Sequence, residues 1–300
     1  MKKNTLVLIF SIFIFYTMPT LTVFYGGQKW QDKNSGKNIY LLYEAHQPRN
    51  LPQVEKIIKE AEETESKVLI ESRYEQTKQN PIYARSDLPF LHKRCLEETI
   101  PVQDIDIRGV VPGTYKDGKT KINKKQLMTV LKKTMDEFTQ LKENMKKIDA
   151  PKQIKVFCEK EIKELEDNQF FTLIAQAVEK KESADTFMQS YLDLAGKKDF
   201  WEILNTHKKL KRRKKLKKLP ATIFLHMTNY ELLRLVDLKA IEQIFESLAK
   251  YGSIILAAGG KHCAYVADLF GDVSSLELVK NSGDTDEIGG FKPIKIKKLF

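Results

Sequence analysis

Between residues 38 and 70 the chain runs from one short apolar stretch, through an amphipathic segment, to a second apolar stretch. That order constrains the fold more than any other feature. Residues 38–42 read as a buried strand. Asn50 with Gln53 three residues on resembles a helix capping box, and Val54, Ile57, Ile58 and Ala61 follow at helical spacing. Residues 67–70 form the next apolar run. A strand–helix–strand unit of this length is what a parallel crossover requires. The expected fold class is therefore α/β, with a mixed, largely parallel sheet flanked by helices. A third strand is expected over 100–111, with Asp104, Asp106 and Arg108 on one face and Ile105 and Ile107 on the other. The sheet resumes with strands at 222–226 and 254–258, separated by an amphipathic helix over 230–250. A short helix at 264–270 and a strand-like basic end at 292–300 follow.

The middle of the chain has a different period. Leu127, Leu131, Met135, Phe138, Leu141, Met145 and Ile148 line one face of a long helix that Pro151 ends. Ile154, Cys158, Ile162 and Leu165 begin a second, and Phe187, Tyr191, Phe200 and Leu204 mark a third. The expected organisation is a single α/β domain over 38–300 carrying a long helical insertion at about 119–219. The aromatic and methionine stripes there read as packing rather than as a cofactor box.

Charge is unevenly placed. The net charge of +11 would point to nucleic acid if it were spread over the chain. Residues 208–218 alone hold nine basic side chains and no acid, leaving +2 for the remainder. This tract reads as a solvated linker or as a patch attracted to an anionic membrane surface. It lacks the aromatic interleaving of a nucleic-acid site, so no nucleic-acid partner is expected. At the other end, Lys2 and Lys3 precede an uncharged, Leu-, Ile- and Phe-rich stretch over 5–25. That layout is a signal peptide or an uncleaved N-terminal membrane anchor, which places the body outside the cytoplasm, with 26–37 as a spacer. The three cysteines, Cys95, Cys158 and Cys263, fit no metal-binding pair; they leave room for a Cys95–Cys158 bridge and require none.

Chemistry-bearing residues gather where apolar runs end. Glu44 and His46 follow the first strand, Glu71 and Arg73 the second, and His262 follows the run that closes with Gly259 and Gly260. The carboxyl ends of strands in an α/β sheet are where sites are built. A carboxylate can orient an imidazole or raise its basicity, and two histidines with two glutamates also suit a divalent transition metal. Gly259 and Gly260 allow close approach of a ligand to the backbone, and the helix start behind them offers amides to an anion or oxyanion. Arg73 is placed to orient Glu71 by a paired hydrogen bond. Asp104, Asp106 and Arg108 are further candidates, as is His226 at its own strand end. His92 and His207 read as surface residues.

In order and spacing, Tyr43-Glu44-Ala45-His46, Ile70-Glu71-Ser72-Arg73, Asp104 to Arg108 and Gly259-Gly260-Lys261-His262 resemble a superfamily. It unites erythromycin esterases, ChaN-like haem-binding lipoproteins, and the TraB/PrgY and Tiki proteins. The resemblance covers about 38–111 and 220–272. Tyr43 stands where the family has glycine, and Lys261 where a glycine often precedes the last histidine.

Two readings follow from the resemblance. In the first the chain is a hydrolase acting on a small-molecule ester or a peptide. His46 serves as general base or metal ligand, Glu44 and Glu71 orient it, and His262 holds the oxyanion or protonates the leaving group. His46, Glu71 and His262 would be the ligands of a divalent Mn, Co or Zn ion. In the second the chain is a non-catalytic surface protein that sequesters a peptide or binds metal or haem, with Tyr43 and Arg73 at the cofactor, since tyrosine can ligate haem iron.

Overall fold

The structure, a computed structural model, describes residues 24–44, 51–72, 87–107, 113–116, 119–122, 124–197, 232–283 and 299–300. The chain divides into two compact units, one running to Asp104 and resuming at Ser247, the other spanning Ile105–Glu246.

The first unit is built on a six-stranded mixed sheet. Its strands are β1 (Phe24–Asp32), β2 (Asn38–Glu44), β3 (Ser66–Ile70), β4 (Val102–Asp104), β7 (Ser253–Gly259) and β8 (Leu276–Gly283), in the order β4-β3-β7-β2-β1-β8. The three pairings from β4 to β2 are parallel, and β1 is antiparallel to both β2 and β8. The expected crossover is present, with helix α1 (Leu51–Glu63) between β2 and β3. The two strands are not neighbours, because β7 lies between them.

Strand alternation gives the sheet two apolar faces. Tyr40, Leu42, Val68, Ile70, Ile255 and Ala257 pack with Val54, Ile57, Ile58 and Ala61 of α1. Leu88, Leu91 and Cys95 of α2 (Asp87–Glu97) join the same cluster. Burying each of the larger side chains is worth about 1.5–3 kcal/mol. The opposite face carries α8 (Gly260–Gly271), with Phe270 edge-on to Trp30 at 5.7 Å and the Cys263 thiol 3.4 Å from the Leu42 carbonyl.

Several expectations are corrected. Residues 26–37 are no spacer: with Phe24 and Tyr25 of the expected anchor, they supply β1, which is hydrogen-bonded on both edges. Gln53, expected as a capping-box partner, makes a further contact, while Asn50 lies outside the described residues. Gln53 is buried, accepting from the Phe24 N–H at 3.2 Å and donating to the Phe24 carbonyl at 3.2 Å, so it fastens β1 to α1. Of the long strand expected at 100–111, the described part, 100–107, forms only the three-residue β4, so Asp104 and Asp106 share no strand face; 108–111 lie outside the described residues. Residues 276–283, without an expected strand, form β8. The final helix starts at Gly260 rather than 264, which puts His262 on its first turn. The three cysteines are free and buried.

The second unit opens with a hairpin, β5 (Gly113–Lys116) and β6 (Lys119–Ile122), where the sequence reading began the helical region. Helices α3 (Lys124–Met145), α4 (Lys152–Glu166), α5 (Gln169–Glu179) and α6 (Ala184–Lys197) follow, then most of α7 (Leu233–Leu248). The aromatic residues pack on one another: Phe138 on Phe171 at 5.2 Å, and Phe170 on Tyr191 at 5.0 Å. Asn168 caps α5 by accepting the Phe170 N–H at 2.7 Å. Helix α7, expected to be amphipathic, is buried almost all round, and its Lys239, Glu242 and Gln243 are withdrawn from solvent. Glu242 accepts from Asn144 Nδ2 at 2.5 Å and from Gln243 Nε2 at 3.1 Å, and pairs with Lys239 Nζ at 2.5 Å.

Among the described residues no helix is long and apolar enough to cross a membrane; residues 1–23 of the candidate signal or anchor lie outside them.

Candidate functional site

The parallel register brings the expected strand ends together. Glu44 at the end of β2 is level with Gly259 at the end of β7, and Ile70 of β3 is level with Ala257. The Glu71 N–H continues the ladder by donating to the Ala257 carbonyl at 3.1 Å. Its side chain then turns to the start of α8. One carboxylate oxygen, Oε2, accepts the Gly259 N–H at 2.9 Å; the other, Oε1, lies 3.3 Å from His262 Nε2. Both side chains are nearly buried, at 6 % and 8 % exposed.

This arrangement has a local cause. Gly259 is the N-cap of α8 and has no side chain with which to cap it. Glu71, from the neighbouring strand end, accepts the N–H of the N-cap residue itself, the bond that the glutamate of a capping box makes, and a carboxylate there is favoured by the helix dipole. His262 is three residues into the helix, so its ring returns over the same end. A carboxylate held by a backbone donor and facing an imidazole fixes the ring's orientation and accepts its N–H.

Glu44 is buried, but strand alternation gives it the parity of Tyr40 and Leu42, which pack on α1. Glu71 points to α8 on the other side. The two glutamates therefore leave opposite faces of the sheet rather than converging on one side. His46, Arg73, Arg108, His207, His226 and the basic tract 208–218 lie outside the described residues.

Tyr43 does not fit a haem ligand. It is 1 % exposed, with its ring edge-on to Tyr25 at 6.2 Å and packed over Gly26, where an added Cβ would come within 2.9 Å of it. Its hydroxyl has no hydrogen-bond partner among the described residues. Burial, with the nearby Cys263, Asp268 and Tyr25, holds the phenol well above its ordinary pKa, so it does not offer the phenolate that iron prefers. Burial likewise pushes the thiols of Cys95 and Cys158 up to about 12, which removes them as nucleophiles at neutral pH.

Gly260 has a structural reason to be glycine. The Tyr25 hydroxyl fills the space beside it, and a Cβ there would lie 1.7 Å from the hydroxyl oxygen. The space beside Gly260, expected to admit a ligand, is thus occupied by Tyr25, a residue expected in the anchor.

Two polar residues beside Glu71 escaped the sequence reading. Ser72 Oγ donates to Asp104 Oδ2 at 3.0 Å and lies 2.8 Å from His92 Nδ1. His92 is thus half-buried against the strand ends rather than a surface residue. The signal was available: His92 sits within the stripe Leu88, Leu91 and Cys95 that faces the core.

For a metal, the described residues supply Glu71 and His262, and no group of three or more His, Cys, Asp or Glu side chains assembles among them. A tetrahedral catalytic site takes three protein ligands, so these two do not make one by themselves. Comparison of the chain with protein-family models, curated proteins and solved structures returned no match.

Proposed function

We propose that the chain is a hydrolase acting on an ester or amide carbonyl, with the Glu71–His262 pair at its centre. The observation that carries this reading is the 3.3 Å approach of Glu71 Oε1 to His262 Nε2 at the C-terminal ends of β3 and β7, with Oε2 fixed by the Gly259 N–H. A buried carboxylate–imidazole pair that also keeps some exposure can store a proton and release it on demand.

The steps balance simply. His46, two residues beyond Glu44, takes a proton from water, whose oxygen attacks the carbonyl carbon. His262, protonated beside Glu71, stabilises the oxyanion and gives its proton to the departing alcohol or amine as the bond to carbon breaks. One water is consumed, and the proton taken up by His46 returns to His262 through solvent, which regenerates both histidines. The N-terminal charged-then-apolar stretch supports an extracytoplasmic setting for this chemistry, as a secreted or tethered protein.

The test uses the full chain with p-nitrophenyl acetate and p-nitrophenyl butyrate. Assays run in chelator and again with added Mn2+, Co2+ or Zn2+. Loss of one acid–base group typically costs about 10²–10⁴-fold, so His262→Ala and His46→Ala should each lose at least about a hundredfold in kcat/KM with unchanged circular dichroism. Variant rates equal to the wild-type rate would sink the reading.

A further inference from the structure

We infer that Asp104 and His92 are positioning residues for the Glu71–Gly259 contact, acting through Ser72. This rests on the site geometry above, and its test needs no substrate.

The parallel ladder between β3 and β4 fixes what should come next. The Val68 N–H donates to the Pro101 carbonyl at 2.8 Å, and each step of two residues advances the acceptor by two. The Ser72 N–H would therefore meet the Ile105 carbonyl. That carbonyl instead takes the Ile107 N–H at 3.0 Å, and β4 ends at Asp104. The Asp104 side chain replaces the lost backbone acceptor: Oδ1 accepts the Ser72 N–H at 3.3 Å while Oδ2 accepts the Ser72 hydroxyl at 3.0 Å. Two parallel bonds to one carboxylate hold both the backbone and the side chain of Ser72.

The direction of the remaining bond follows. The Ser72 hydroxyl proton is committed to Asp104, so the 2.8 Å contact with His92 makes Nδ1–H the donor and Ser72 Oγ the acceptor. The chain of donation is thus His92 to Ser72 to Asp104. This excludes Ser72 as a nucleophile, because a triad serine gives its proton to the histidine and the carboxylate holds the histidine instead. What the cluster does is lock the residue that follows Glu71. Glu71 and Ser72 leave the strand on opposite sides, so fixing Ser72 toward α2 aims Glu71 toward α8. A misplacement of about 1 Å in a catalytic group can cost about a hundredfold in rate, which is the use of such a lock.

The readout is the Gly259 amide proton, whose shift reports its bond to Glu71. The full chain, labelled with 15N-glycine, gives one amide resonance for each of 14 glycines at most. Glu71→Ala identifies the Gly259 resonance and sets the full displacement. Asp104→Asn, which keeps shape but cannot accept from both Ser72 donors in the same way, should move that resonance upfield by at least half of the full displacement. Ser72→Ala should do the same, and His92→Gln should move it less. Gly252, at the other end of β7, should stay in place in all of them. A Gly259 resonance unmoved in both Asp104→Asn and Ser72→Ala, in spectra that remain folded, would overturn the inference. Loss of hydrolysis plays no part in this test, so failure of the hydrolase reading would leave its outcome unaffected.

Discussion

Glu71 of the sheet unit and Glu242 of the helical unit are both withdrawn from solvent, with side chains 6 % and 0 % exposed. Their surroundings differ in kind. Glu242 is met by an ammonium and two amides, from Lys239, Asn144 and Gln243, whose nitrogens only donate hydrogen bonds. Glu71 accepts from a backbone amide and faces an imidazole, a ring able to act as proton donor or acceptor. The first arrangement fixes a charge; the second can pass a proton on. Burial of a carboxylate therefore says little about function until its partners are named.

The largest expected effect tests the structural half of this contrast. Glu242→Ala leaves the Lys239 ammonium buried without its carboxylate, and breaking a buried pair typically costs about 3–5 kcal/mol. Urea denaturation should show a loss of that size, and the double variant Lys239→Met/Glu242→Leu should recover most of it. A loss in Glu242→Ala below about 1 kcal/mol would mean the pair is wetter than its burial indicates.

The thiols sharpen the comparison, since Cys95 belongs to the sheet unit and Cys158 to the helical unit. Each is raised from 9.0 to about 12 by burial. Such a thiol stays neutral in the folded chain while it ionises in the unfolded one. Its stabilising contribution is complete below about pH 9 and is lost as pH rises toward 12, by at most about 1.4 kcal/mol per pH unit for each thiol. Cys95→Ala and Cys158→Ala should each flatten the fall in stability above pH 9. An unchanged slope in either would show that its unit opens before the thiol ionises.

Gly260→Ala should cost about 1–3 kcal/mol, the usual range for overpacking, because its Cβ collides with the Tyr25 hydroxyl. Tyr25→Phe in the same chain should return much of the loss. Equal losses with and without that hydroxyl would show that the glycine serves something other than room for Tyr25. The smallest effect concerns Tyr43, whose buried hydroxyl has no partner among the described residues. Tyr43→Phe should be neutral or stabilising by up to about 1 kcal/mol in thermal melts, since an unsatisfied buried hydroxyl is costly. A clear loss of stability would reveal a partner for that oxygen.

The sequence was most legible where periodicity and apolar runs agree. The α1 stripe, the β3 and β7 runs and the helical spacing of α3 and α4 could be read directly. Glu71 and His262 were legible for the same reason, because each follows an apolar run. Strands β1 and β8 were not. Gly26, Gly27, Gln28 and Lys29 read as a polar spacer, yet β1 is stabilised by bonds to β2 and β8 that no local pattern announces. Its interior position comes from tertiary pairing, which overrides weak local propensity. Strand β4 was overread because alternation continues past Asp104, while the Asp104 side chain takes over the ladder and the chain turns at Ile105. His92 and Ser72 were missed because their meaning depends on one another.

The most direct test sets the two carboxylates side by side. Glu71→Gln and Glu242→Gln, each isosteric, are assayed for melting temperature and for kcat/KM on p-nitrophenyl acetate. The account predicts that Glu71→Gln melts like the wild type and loses at least about a hundredfold in kcat/KM, while Glu242→Gln melts lower and keeps its kcat/KM. Full activity in Glu71→Gln, or lost activity in a Glu242→Gln chain of undiminished stability, would contradict it.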